Sequence, residues 1–279
     1  MSLAIPTQTS FQGRYVQVNG ITMHVIVEGS GPEVLLLHGF PDTHAIWREQ
    51  IPALVEAGYR VIAPDLRGCG LTDMPRHVSD YRIGTLVQDV AALLDALGVE
   101  RVRLVAHDWG AAIGWQFAIQ HQHRVVRYAA LSVGHLSCYT TAGWMQKLKG
   151  YYIALIQLRG FAEWLFTAFD WAFLRFFADA PHEYLHVRAG KSAAGRMTAA
   201  MNYYRANLGL LIPRQHGFVN VPVMGVFSTK DRFLVENQMV RSEAYCKAGW
   251  RFERLEGVGH WMTSEAPERV NPLLLDFLR

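Results

Sequence analysis

Ala106-His107-Asp108-Trp109-Gly110 sets a carboxylate at the centre of a run whose outer members have little or no side chain. A sharp strand-to-helix turn requires such a frame. Small residues two before and two after let the helix pack close while the central side chain stands exposed. Serine usually occupies that centre and attacks acyl carbon once a base removes its proton. An aspartate is already ionised near neutral pH and attacks a saturated carbon bearing a leaving group, which leaves an ester for water to cleave. The competing use of an aspartate before a helix is to cap it.

Three further stretches have residue types that suit the same chemistry. His38-Gly39-Phe40-Pro41 follows the apolar run Glu33 to Leu37. Its loop is placed to give the Phe40 N–H to an oxyanion hole, with Trp109 N–H as the second donor. Gly257-Val258-Gly259-His260-Trp261 follows the last apolar run and offers His260 as the base that activates water. Asp231, in Ser228-Thr229-Lys230-Asp231, follows the run Val221 to Phe227 and is placed to orient His260. The chain order nucleophile, acid, histidine is the one this turn demands. The other position for the acid, near Leu131-Ser132-Val133-Gly134, contains no carboxylate.

The elements that must position these groups are legible in the hydropathy pattern. Arg14 to Val18 and Thr22 to Glu28 flank Asn19-Gly20 as a hairpin would. Glu33 to Leu37, Tyr59 to Pro64 and Arg101 to Ala106 are continuous apolar runs that suit strands buried on both faces. Ile83, Leu86, Val87, Val90, Leu93, Leu94 and Leu97 fall at helical spacing, with Gly98 as the cap. Such alternation predicts an α/β fold with a mostly parallel central sheet flanked by helices. From Leu136 to about Pro213 the pattern is aromatic and helical, and strands resume at Val221 to Phe227 and Arg251 to Leu255. The expected organisation is one α/β core, residues 1–134 and 216–279, with a helical cap inserted at 135–215.

Composition narrows the function classes. The chain has 279 residues, 51% hydrophobic and 18% charged, which suits a globular protein with a substantial core. A net charge of +3 without a basic cluster argues against nucleic acid and against an anionic membrane surface. Cys69, Cys138 and Cys246 are too widely spaced for a zinc knuckle and odd in number, so a reducing compartment is expected. The opening MSLAIPTQTSFQGRYVQVNG lacks the pattern of a signal peptide, and no apolar stretch is long enough to span a membrane. A cytoplasmic location is the expectation, and a homodimer is compatible with it.

Taken in order, these motifs resemble the epoxide hydrolases of the α/β-hydrolase superfamily, soluble epoxide hydrolases included. The matching stretches are HGFPDT (38–43), IAPDLRGCGLTD (62–73), AHDWGA (106–111), NYYR (202–205) and GVGHWMTSEAPE (257–268), and the likeness covers nearly the whole chain. The resemblance implies two cap tyrosines that hydrogen-bond the epoxide oxygen. NYYR places one at Tyr204, and the pattern Tyr152 … Gln157-Leu158-Arg159-Gly160 places the other at Tyr152. The family often has Pro where Arg159 stands, and Gly where Ser228 stands. An opening epoxide leaves an alkoxide, and a phenol, an uncharged donor, can hydrogen-bond or protonate it. Tyr151 and Tyr203, turned about 100° from their neighbours on a helix, are expected to pack. The substrate implied is an apolar epoxide held by Phe40, Trp109, Tyr152 and Tyr204, with Trp144, Phe161, Trp164, Phe169 and Trp171 as the aromatic cap. The product is a vicinal diol, and no metal or organic cofactor is implied.

A haloalkane dehalogenase also resembles the HDWG turn and the histidine, and Trp109 could donate to a halide, but a departing halide needs no phenol. A fluoroacetate-type enzyme would place a charged partner where Trp109 stands. A serine esterase would need serine at 108. His182-Glu183-Tyr184-Leu185-His186 matches the H-E-x-x-H pattern of zinc proteases, yet no third ligand accompanies it and it falls within the cap. A hydrolase fold can also serve only to bind a small signal molecule. The full set of nucleophile, base, acid and phenols favours catalysis.

Overall fold

Asn19 and Gly20 both take positive φ, +42° and +77°. This is the turn that joins two strands of right-handed twist. A computed structural model describes residues 11–178 and 181–279, and the side chains of all of these except 177, 178 and 181–185. Among the described residues there are eight strands: β1 (Gly13–Val18), β2 (Ile21–Glu28), β3 (Glu33–Leu37), β4 (Arg60–Pro64), β5 (Val102–His107), β6 (Val125–Leu131), β7 (Val223–Ser228) and β8 (Trp250–Leu255). They form one sheet in the order β1-β2-β4-β3-β5-β6-β7-β8. β2 pairs antiparallel with β1 and β4, and every pair from β4 to β8 is parallel. The mostly parallel sheet read from the apolar runs is therefore present, and each run falls within two residues of its strand.

Helices cover both faces, as strands apolar on both sides require. In the first half these are α1 (Gln50–Glu56), α2 (Ile83–Ala96) and α3 (Trp109–Gln120). Gly98, at φ +66°, follows the end of α2 as its spacing predicts. Between β6 and β7 the chain is helical: α4 (Leu136–Tyr139), α5 (Trp144–Lys149), α6 (Tyr151–Ile156), α7 (Phe161–Ala178), α8 (Pro181–Lys191) and α9 (Arg196–Ala206). α7 is broken at Ala168–Trp171, where the backbone leaves helical angles. The second half adds α10 (Glu236–Val240), α11 (Met262–Glu265) and α12 (Pro267–Phe277). No described helix is long and apolar enough to cross a membrane. The side chains of the His182 to Leu185 stretch lie outside the described residues.

One buried carboxylate braces the loops at the carboxyl ends of β3 and β4. Asp65 accepts from Nδ1 of His24 on β2 at 2.9 Å and from Nδ1 of His44 at 2.8 Å. It also accepts the backbone N–H of His44 at 2.9 Å and of Leu71 at 3.1 Å. His24, His44 and Asp65 are close enough together to suggest a metal site. Their ligand atoms bond one another instead. Burial would raise the Asp65 carboxyl, but the hydrogen bonds from His24 and His44 outweigh it and hold the pKa well below the usual carboxylate range. Replacing Asp65 with Asn leaves donors facing donors in a dry site. Asp65→Asn is expected to lose about 2–4 kcal/mol of stability, read as a lower midpoint of denaturant unfolding.

Candidate active site

The four stretches singled out in the sequence meet at the carboxyl ends of the parallel strands, where open α/β sheets bind ligands. β3 ends in Leu37 and leads to Phe40, β5 ends in His107 and leads to Asp108, β7 leads to Asp231, and β8 leads to His260. Asp108 takes φ +51° and ψ −122°, a conformation costing a non-glycine residue about 1–3 kcal/mol. Its side chain makes no capping bond to α3, so the ordinary use of an aspartate before a helix is excluded. Close approach makes this geometry possible. A Cβ on Gly110 would lie 2.2 Å from the Leu37 carbonyl oxygen, and one on Gly39 would lie 2.3 Å from the Asp108 side chain.

The two oxygens of Asp108 have different surroundings. Oδ1 accepts the Phe40 N–H at 2.6 Å, and the Trp109 N–H also bonds the carboxylate. Oδ2 stands 3.8 Å from Nε2 of His260. On its other side, Nδ1 of His260 meets Oδ2 of Asp231 at 2.8 Å. Oδ1 of Asp231 accepts the N–H groups of Phe233 at 2.7 Å and Leu234 at 3.0 Å, so both oxygens of the acid are engaged. Burial raises the Asp108 carboxyl, and His260 with the two backbone donors works against that rise. Burial would lower His260, but Asp231 and then Asp108 and Asp42 outweigh it and bring its pKa up to about 9.

Two neighbouring histidines are held neutral. His38 is pushed down to about 4 by burial, accepts the Leu66 N–H on Nε2 at 2.9 Å and lies 3.0 Å from its Gly39 carbonyl through Nδ1. Burial also holds His107 well below its ordinary value, and its Nε2–H donates to the His260 carbonyl at 2.9 Å. Both orient the loops that present Phe40 and His260.

Tyr152 on α6 and Tyr204 on α9 face the same cavity as Asp108. Their rings lie edge to face with centroids 5.7 Å apart. The Tyr204 hydroxyl takes hydrogen bonds from the Trp109 and Tyr152 side chains. Burial raises both phenols well above 10, so both stay protonated. The adjacent Tyr203 is buried and donates to the Arg67 carbonyl at 2.7 Å, away from the cavity. Tyr151 is exposed and does not pack as expected. Arg159, where the family often has Pro, lies exposed on the turn after α6, and Ser228 is buried at the end of β7.

The aromatic cap read from the sequence needs correction. Trp144, Phe161, Trp164 and Phe169 are exposed, Phe169 at 80%, and only Trp171 of that group is buried. Helical period identifies an apolar face but not which of several helices covers which. The cavity is lined instead by aliphatic residues, Ile153, Leu208, Leu210, Leu211 and Leu234 among them, with Tyr139 as a third phenol. Sequence reasoning missed Tyr139 and also Asp42, a buried carboxylate that accepts the Trp261 indole N–H at 3.1 Å.

Gly39→Ala should displace the Asp108 carboxylate, because the added methyl has nowhere else to go. The expected loss is ~10²-fold in kcat/KM. Chemical denaturation should show the fold retained, with a loss below about 3 kcal/mol.

Comparison with known proteins agrees with the fold. Residues 32–157 match the family model for the alpha/beta hydrolase fold. The chain is 33% identical to the AB hydrolase superfamily protein YfhM of Bacillus subtilis, a likeness covering 95% of this chain and 97% of that protein. It is 32% identical to Epoxide hydrolase 3 of Xenopus tropicalis over 94% of this chain and 76% of that one. The crystal structure of epoxide hydrolase VrEH1 from Vigna radiata superposes with a TM-score of 0.85 at 30% identity, covering 97% of this chain and 98% of that chain.

Proposed function

The chain belongs to the epoxide hydrolases of the α/β-hydrolase superfamily, and from that premise we propose that it converts an apolar epoxide to a vicinal diol through an ester on Asp108. One observation carries this reading. A largely buried carboxylate, bonded by the Phe40 and Trp109 N–H groups, shares an apolar cavity with two protonated phenols.

In the first step Oδ2 of Asp108 attacks an epoxide carbon, the ring C–O bond breaks, and the oxygen takes a proton from Tyr152 or Tyr204. Burial disfavours the resulting phenolate, so it is promptly reprotonated. Esterification also removes the negative charge beside His260, and its pKa falls below the resting value of about 9. The proton His260 then sheds balances the one the phenolate takes up. Neutral His260 now accepts a proton from water, whose oxygen attacks the Asp108 carbonyl carbon. Phe40 and Trp109 N–H groups hold the oxyanion on Oδ1. The tetrahedral adduct expels the diol oxygen, its own hydroxyl supplying the needed proton, and the carboxylate–imidazolium pair returns.

In this scheme the helices at 135–215 act as the cap on a core of residues 1–134 and 216–279. A halide-releasing enzyme would use the Trp109 indole N–H as a free donor, whereas here that side chain bonds Tyr204. Panels of epoxides and haloalkanes test the choice directly. Diol formation that is lost in Asp108→Ala is expected, and halide release without diol would overturn the reading. A single turnover in ¹⁸O-water should place the label in Asp108 and none in the first diol formed.

The charges dictate opposite pH responses for the two steps. Alkylation needs ionised Asp108 and protonated phenols, so its rate should rise through the raised Asp108 pKa and stay level past pH 9. Ester hydrolysis needs neutral His260 and should rise with pH through a pKa below about 9. Rapid-quench measurement of both steps is expected to show the ester accumulating most at low pH.

A further inference from the structure

α5 is a six-residue helix on the surface, with Trp144, Met145 and Leu148 exposed. Two of its residues, Gln146 and Lys149, are three apart and therefore share one face. All four bonds that these two side chains make to the following segment fall within Asp231 to Val235. Gln146 donates Nε2–H to the Phe233 carbonyl at 2.9 Å and accepts the Val235 N–H at 3.0 Å on Oε1. Lys149 donates Nζ–H to the Leu234 carbonyl at 2.7 Å and to the Asp231 carbonyl. Gln146 also bonds Tyr139, the third phenol of the cavity.

The segment so gripped carries more than the acid. Asp231 takes Nδ1 of His260, and the Phe233 ring stands edge-on to the His260 ring at 5.0 Å and to the Tyr152 ring at 5.5 Å. Leu234 forms part of the cavity wall. None of the four bonds holds Asp108 in place. Its turn belongs to β5 and α3, and its two backbone donors are Phe40, in the loop after β3, and Trp109, at the start of α3.

We propose that Lys149 and Gln146 are positioning residues for the second half of the reaction, gripping the Asp231–Val235 segment so that ester hydrolysis proceeds only with α5 docked. Alkylation by Asp108 does not need that grip. The proposal rests on the two-step reading above. It assigns α5 the task of coupling the helical insertion to the base.

Rapid-quench and intact-mass measurements on Lys149→Met and Gln146→Leu test it, with His260→Gln as the reference for a stalled ester. Rate constants of single turnovers are compared, since they do not depend on the fraction of enzyme that is folded. For Lys149→Met, hydrolysis should slow about tenfold or more, while alkylation changes by less than about threefold. The ester should then accumulate in the steady state, and Lys149→Arg, which keeps a cationic donor, should recover much of the hydrolysis rate. Equal slowing of both steps, or no accumulation of ester in Lys149→Met when His260→Gln accumulates it, would overturn the proposal alone. Absence of ester in His260→Gln would overturn the two-step reading beneath it.

Discussion

Attack on carbon needs a charged carboxylate, and burial in an apolar cavity disfavours that charge. Asp108 sits under that conflict, and its neighbours offset it piece by piece. Phe40 and Trp109 N–H groups bond the carboxylate, and Nε2 of His260 lies 3.8 Å from its Oδ2. The left-handed backbone that aims the side chain costs free energy as well. That conformation survives because β3, β5 and α3 pack tightly around it, with Gly39 and Gly110 permitting approaches no Cβ would allow. The oxyanion loop is held in turn by neutral His38, and the loop beyond it by the Asp65 network. The strained turn is thus supported by interactions reaching back to β2.

The same apolar cavity acts in opposite senses on the two kinds of reacting group. It raises the carboxyl of Asp108, which must be compensated, and it raises the phenols of Tyr152 and Tyr204, which need no compensation. In the proposed reaction His260 joins the two demands. It would be cationic while Asp108 is anionic, when a counter-charge helps, and neutral once the ester forms, when a base is needed. No conformational change is required for that switch, because loss of one charge beside the ring is enough to move its pKa.

Much of this could be read from the chain because the chemistry lies where short motifs meet strand ends. The apolar runs at Glu33 to Leu37 and Val221 to Phe227 and the small-residue frame around Asp108 located the sheet and its turn. Those features are local. What escaped the sequence is non-local. Gln146 and Lys149 look like ordinary surface residues of a short helix, and only the fold brings them to carbonyls more than 80 residues away. Leu208 to Leu211 follow α9 without a motif, yet they line the cavity, while Trp164 and Phe169, which look like pocket residues, face solvent. The helical insertion has several apolar faces and no strand register to choose among them, so period alone could not assign one to the cavity.

The division of labour between the sheet and the insertion follows from electrostatics. Asp108, Asp231 and His260 all lie on loops at the carboxyl ends of strands, where the sheet sets their positions. Among the described residues the insertion contributes to the cavity only neutral groups, Tyr139, Tyr152, Tyr204, Asn207 and aliphatic side chains. Its lysine at 149 is turned onto backbone carbonyls of the Asp231 segment. A wall of neutral side chains can change shape without bringing a new charge beside the carboxylate or the base. On the proposed reading, substrate shape can therefore be set by residues such as Ile153, Leu208 and Leu211, while the charges that would break and form bonds stay where the sheet put them.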